Sequence, residues 1–147
     1  MAKPKHIEVT STVIRHTPQL SRLVTIPVET ILPWKIEQTT VIEGTINGVD
    51  LGRRSLKRWE DRRCWWIDLP EPLCKKAKLE IGDQVHLVIH LASDKLPEEL
   101  AALLKTNPQA KRRWEKLTQA QQRMLREEIF AAKTSQTRLR RAEKVLL

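Results

Sequence analysis

The residues best suited to chemistry in this 147-residue sequence lie in one stretch, Arg53-Arg54-Ser55-Leu56-Lys57-Arg58-Trp59-Glu60-Asp61-Arg62-Arg63-Cys64-Trp65-Trp66. It carries six cations and two anions with three tryptophans interleaved. Guanidinium groups pair bidentately with phosphate oxygens, and indoles offer faces for base stacking or for a cation. On a hairpin these side chains project from both faces. Only some of Arg53, Arg54, Lys57, Arg58, Arg62 and Arg63 can then meet one ligand beside Trp59, a candidate nucleic-acid contact. The competing reading is a solvated edge hairpin whose charges discourage strand pairing, with Trp65 and Trp66 anchoring a core.

Other candidates carry less. His86 and His90 are spaced for a metal clasp on a helix, but Val85, Leu87, Ile89 and Leu91 alternate as in a strand. There the two imidazoles stand roughly 13 Å apart, at ~3.3 Å per residue, so no metal and no cofactor is expected. Cys64 and Cys74 lie apart, without a C-x-x-C pair. Cys74, followed by Lys75 and Lys76, is the better candidate for an activated thiol, although a bland buried thiol is the simpler reading. No serine elbow, metal-binding helix or phosphate loop appears, so an enzyme is the least supported class. Near the end, Arg126, Lys133, Arg138, Arg140, Arg141 and Lys144 form a basic helical surface. Arg138 and Arg141 share a face and suit either an anionic partner or a link to a helix carboxylate such as Glu127 or Glu128.

These residues need elements to hold them. Ile7–His16, Leu23–Val28, Thr39–Ile46, Val49–Leu56, Cys64–Leu69 and Val85–Leu91 read as strands. Asn47-Gly48 forms a type I′ hairpin turn between the third and fourth, because both residues accept positive φ. Pro72–Lys78 is a helical turn. Many short strands with one small helix predict a compact barrel. After residue 95 the composition shifts to Leu, Ala, Lys, Arg, Glu and Gln, strong helix formers. Asp94 is expected to cap a first helix with Leu96, Leu100, Leu103 and Leu104 inward, and Asn107-Pro108 to end it and start a second. Thr118 caps Gln119–Lys133, with Leu125, Ile129 and Ala132 on one face. Thr134 or Ser135 opens a last helix that turns Leu139, Ala142 and Leu146 inward. The expected fold is α+β: a β-barrel over 1–94, then a three- or four-helix domain over 95–147.

With these caps and stripes in place, the C-terminal part resembles the C-terminal domain of the YdeI/OmpD-associated family, the bacteriocin-protection proteins. The matching residues are Pro97-Glu98-Glu99-Leu100, Ala101-Ala102-Leu103, Asn107-Pro108, Trp114-Glu115-Lys116-Leu117, Ile129, Ala132-Lys133, Thr137-Arg138, Arg141 and Leu146. The resemblance implies a role in envelope-stress or antimicrobial-peptide tolerance. It groups Lys133, Thr137, Arg138 and Arg141 as candidate contacts for an anionic partner. Gly44-Thr45-Ile46-Asn47-Gly48, Leu69 and Leu79–Val85 look like the small barrel domain often placed before it. That barrel is similar to the double-split barrel of AbrB-type regulators, which implies DNA binding and a homodimer. The charged segment Lys57–Arg63 departs from the Gly-rich turn such barrels carry.

Charge and composition bound the rest. The chain carries 27 Lys and Arg against 18 Asp and Glu, net +9, with 40% apolar residues, too apolar for a disordered chain. Residues 1–95 hold 15 basic and 12 acidic groups, and 96–147 hold 12 and 6, so two-thirds of the excess follows residue 95. No apolar run reaches the ~18–20 residues of a membrane span, Met1–Ile7 is too polar for a secretory signal, and two cysteines make no disulfide framework. The expectation is a non-enzymatic cytoplasmic protein that meets an anionic partner, protein or nucleic acid. The alternative is a nucleic-acid-binding regulator.

Overall fold

The structure, a computed structural model, describes residues 4–147. The chain divides into two compact units, one ending at Ala92 and one running from Ser93 to Leu147.

The first unit contains strands β1 (Ile7–Thr12), β2 (Arg22–Pro27), β3 (Thr40–Ile46), β4 (Val49–Asp50), β5 (Arg54–Trp59), β6 (Cys64–Leu69) and β7 (Gln84–Leu91), with helices α1 (Val28–Ile31) and α2 (Glu71–Ala77). The strand order is β1-β7-β3-β5-β6-β2, antiparallel throughout, with β4 paired to β3. The two ends of this order meet. Ile14 and Leu23 exchange both backbone hydrogen bonds (2.9 and 2.8 Å), and the Ser11 hydroxyl donates to the Thr25 carbonyl at 2.7 Å. The result is a nearly closed barrel whose edge strands cover one another. Val24, Ile26, Ile42, Leu56, Ile67, Leu87 and Ile89 fill its interior. A 3-10 turn after α1 drives Trp34 fully into this core, where Nε1 donates to the Pro4 carbonyl at 2.9 Å.

The Asn47-Gly48 turn forms as expected, with φ of 50° and 78°. The strand expected over Val49–Leu56 is instead broken after Asp50. The Asp50 carboxylate accepts from the Gly52 amide (2.9 Å), and Leu51 N–H donates to the Gly44 carbonyl (2.9 Å). Between the pairs Thr45–Asp50 and Ile42–Arg54, two residues of β3 therefore oppose three. This is a one-residue β-bulge, and it reverses which side chains of β5 face inward. Leu51 and Leu56 both enter the core, which uninterrupted alternation forbids. Lys57 and Trp59 are turned outward as a result.

The second unit has four helices, α3 (Glu98–Thr106), α4 (Pro108–Lys116), α5 (Gln119–Ala131) and α6 (Ser135–Leu146). Three caps are as the sequence indicates. Asn107 accepts from Ala110 N–H, Thr118 and Gln121 form a reciprocal capping box, and Thr134 accepts from Thr137 N–H. Asp94 does not cap α3. That helix starts after an extended Pro97, and the residue before a proline is held out of the helical region. Leu100, Leu103, Leu125, Ile129 and Leu146 close around Ala110 and Ala142. Leu139 is exposed, contrary to expectation. On α6 the inward row is Ala142 and Leu146, four residues apart, and its continuation one turn back is Arg138.

Candidate anion-binding groove

Strands β5 and β6 pair so that Lys57 stands opposite Trp66, Arg58 opposite Trp65, and Trp59 opposite Cys64. Successive side chains of a strand alternate between faces. Arg58 and Trp65 accordingly share the inner side with Leu56, whereas Lys57, Trp59 and Trp66 share the outer side.

On that outer face Lys57 Nζ lies 4.6 Å from the centre of the Trp66 ring. The Glu60–Arg62 3-10 turn ends at Arg63 in a left-handed conformation (φ 52°), and this reversal lays Arg62 over Trp59 at 4.6 Å. His16, from the loop after β1, meets Trp59 edge to face at 5.3 Å. Trp59 and Trp66 are 6.4 Å apart with their planes inclined by 63°. Lys57, Trp59, Trp66 and His16 line an open groove of about 480 Å³ together with Leu20, Ser21, Leu23 and Asp68. Lys57 rests on an indole face within it, Arg62 lies over Trp59 beside it, and Asp68 is its acidic member.

Arg53, Arg54 and Arg58 serve the fold. Arg58 Nη1 donates to the carbonyls of Trp59 (3.0 Å) and Cys64 (2.9 Å), its Nη2 meets Glu60 at 3.8 Å, and the group lies 5.9 Å from the Trp65 ring. It clamps the hairpin. Arg53 pairs with Glu43 at 3.5 Å; Arg54 donates to the Leu51 carbonyl and reaches Asp68 at 4.0 Å. Arg63 is exposed at the turn. Of the seven nucleic-acid candidates, the fold thus brings Lys57, Trp59 and Arg62 together with Trp66. The sequence reading missed His16, Leu20 and Asp68, and it paired Trp66 with Trp65 as a core anchor. Trp65 is buried, whereas Trp66 lies in the groove. Two adjacent strand residues cannot both face inward, and that signal was present in the sequence.

In the helical unit Lys133 is exposed, and Thr137 closes the α6 N-cap with Thr134. Arg138 donates from Nε to the Ala132 carbonyl (3.0 Å) and pairs through Nη1 with Glu99 at 3.6 Å. Arg141 donates to the Glu128 backbone carbonyl at 2.6 Å. The carboxylate that α6 reaches is thus Glu99 on α3. Glu127 pairs with Arg126 at 2.9 Å.

The thiols differ in environment. Burial pushes the Cys64 thiol above its ordinary range, and Arg58 and Arg62 oppose that shift. Cys74 is 2% exposed and donates to the Leu69 carbonyl at 3.3 Å. His86 is exposed, and His90 packs against His6 with ring centres 5.9 Å apart. Among the described residues, no three His, Cys, Asp or Glu side chains gather around a metal-sized point, and no helix is long and apolar enough to cross a membrane.

The molecule is thus a mixed α+β protein: a nearly closed antiparallel barrel bearing an outward cation–indole groove, followed by a helical unit. Residues 95–146, the helical part of the chain, match the model of the family described as bacteriocin-protection, YdeI or OmpD-associated. No curated protein and no solved structure matches the chain.

Proposed function

We propose that this chain is a non-enzymatic cytoplasmic binding protein that engages an anionic partner on the outer face of its barrel. In keeping with the family that its residues 95–146 match, it would serve bacteriocin or antimicrobial-peptide tolerance, or envelope stress. The observation that supports this reading is the placement of Lys57 and Arg62, each 4.6 Å from the centre of an indole that lines one groove. Arg138 and Arg141 are each committed to contacts within the helical unit, so the barrel groove is the better surface. A salt titration of the chain against inorganic polyphosphate, oligonucleotides and anionic vesicles tests it. Each neutralised phosphate releases about one counterion, so Lys57→Gln with Arg62→Gln should lower the salt slope by about one to two. Arg53→Gln should leave it unchanged. A double variant with an undiminished slope rejects the groove.

The second reading, a nucleic-acid-binding regulator, is favoured by one specific feature. Two indoles line the groove beside the cations, and neither an acidic peptide nor a lipid headgroup requires them.

A further inference from the structure

We infer that the groove's occupant is an unpaired nucleic-acid strand, with its bases on Trp59 and Trp66 and its phosphates on Lys57 and Arg62. This rests on the anionic-partner reading and narrows it to one class. The two indoles are 6.4 Å apart and inclined by 63°. Planes at that angle cannot sandwich a single ring, so each takes its own base. In a duplex, successive bases are parallel and about 3.4 Å apart along the strand. Both the spacing and the tilt therefore exclude stacked, paired bases and suit a strand free to splay.

The cations fit the same occupant. Each rests on an indole face that a base can cover, and its flexible stem lets the charged head swing to the adjoining phosphate. Stacking and charge pairing then form together, and the cation need not leave the site. His16 supports Trp59 edge-on from the neighbouring loop, and Leu23 underlies the groove. The strand would run along the outer face of β5 and β6 toward Arg63, the exposed cation at the turn.

Fluorescence anisotropy of the full chain with labelled single-stranded DNA, the matching RNA and the blunt DNA duplex, at one salt concentration, tests the inference. Inorganic polyphosphate supplies an anion without rings. Either single strand should bind at least tenfold tighter than duplex, with tryptophan quenching. The DNA and RNA arms show which source is preferred, and tight binding of either supports the inference. Trp66→Ala should weaken single-strand binding by roughly 5- to 150-fold, the range for loss of one stacked base, and leave polyphosphate binding unchanged. Trp66→Phe, which keeps a ring, should recover part of the loss and guards against misfolding. Duplex binding as tight as single-strand binding, or an unaffected Trp66→Ala, overturns the strand while leaving an anion-binding groove. Failure to bind any of the four, polyphosphate included, overturns both.

Discussion

Replacing Gly44 with alanine should unseat the barrel more severely than any other single-methyl addition at a glycine. Gly44 lies on β3 opposite Ile89 of β7, with φ at 150°. A Cβ there would sit 2.0 Å from the Val88 carbonyl oxygen, 2.8 Å from Ile89 Cα and 2.9 Å from the Val88 carbonyl carbon. These are backbone atoms of a paired strand, so no side chain can rotate aside, and β7 must retreat from β3. The backbone conformation alone costs an L-residue about 1–3 kcal/mol. Separating packed strands adds about 1–3 kcal/mol more, as overpacking does in a core. The sum, ~2–6 kcal/mol, is a large part of the ~5–15 kcal/mol that holds an ordinary domain. Urea unfolding followed by tryptophan emission measures it, because Trp34 is fully buried in this core. Gly48→Ala is the matched control. Its φ is also positive at 78°, but nothing lies within 4 Å of the added methyl. That change should cost only about 1–2 kcal/mol, the ordinary price of a left-handed L-residue. A Gly44→Ala loss no larger than the control's would show that β3 and β7 are not in tight apposition, and the reasoning would fail.

Two further outcomes follow from contacts outside the groove. A double-mutant cycle on Arg138→Ala and Glu99→Ala, read by thermal unfolding of the helical unit in far-UV circular dichroism, should give a coupling of about 0.5–1 kcal/mol; no coupling would deny that the pair links α3 to α6. For Cys64, whose folded pKa is raised by burial, the stability tied to the neutral thiol is intact below the ordinary thiol range and lost as pH rises through the raised value. Alkylation by iodoacetamide near pH ~8.5 should therefore run slower at Cys64 than at a free thiol, with Cys74 protected until unfolding, and Cys64→Ser should flatten the alkaline loss of stability.

Much of this architecture is written locally. Asn47 and Gly48 announce their turn because few other residues accept two successive positive φ values, and Asn107, Thr118 and Thr134 announce helix starts because their side chains satisfy amides two or three residues on. The β5 phase was not legible in the same way. It depends on an extra residue at Leu51–Arg53 against Gly44, and alternation counted along one strand cannot see its partner. His16 was missed because the strand read over Ile7–His16 ends at Thr12, and Leu20 because it lies in a loop with no periodicity; both come to the groove only where Ile14 and Leu23 join the barrel's ends. Arg138 could be placed on a face, but Glu99 is supplied by another helix. Contacts between distant segments are set by packing, and neither spacing nor propensity encodes them directly.

The closure of the barrel also dictates a timetable. β1 and β2 are neighbours in the chain, yet they stand at opposite ends of the strand order, and Ile7 finds its partner in Ile89, eighty-two positions later. At about 5–20 residues per second, a ribosome needs roughly 4–16 s to deliver that partner. Throughout that interval β1 has its contacts with β2 and α1, and its apolar side lacks the strand that completes it. The helices, whose partners follow within a few dozen residues, face no such delay once made. A pause in translation before Leu91 would therefore hold an open sheet, and chaperone demand for this chain should concentrate there.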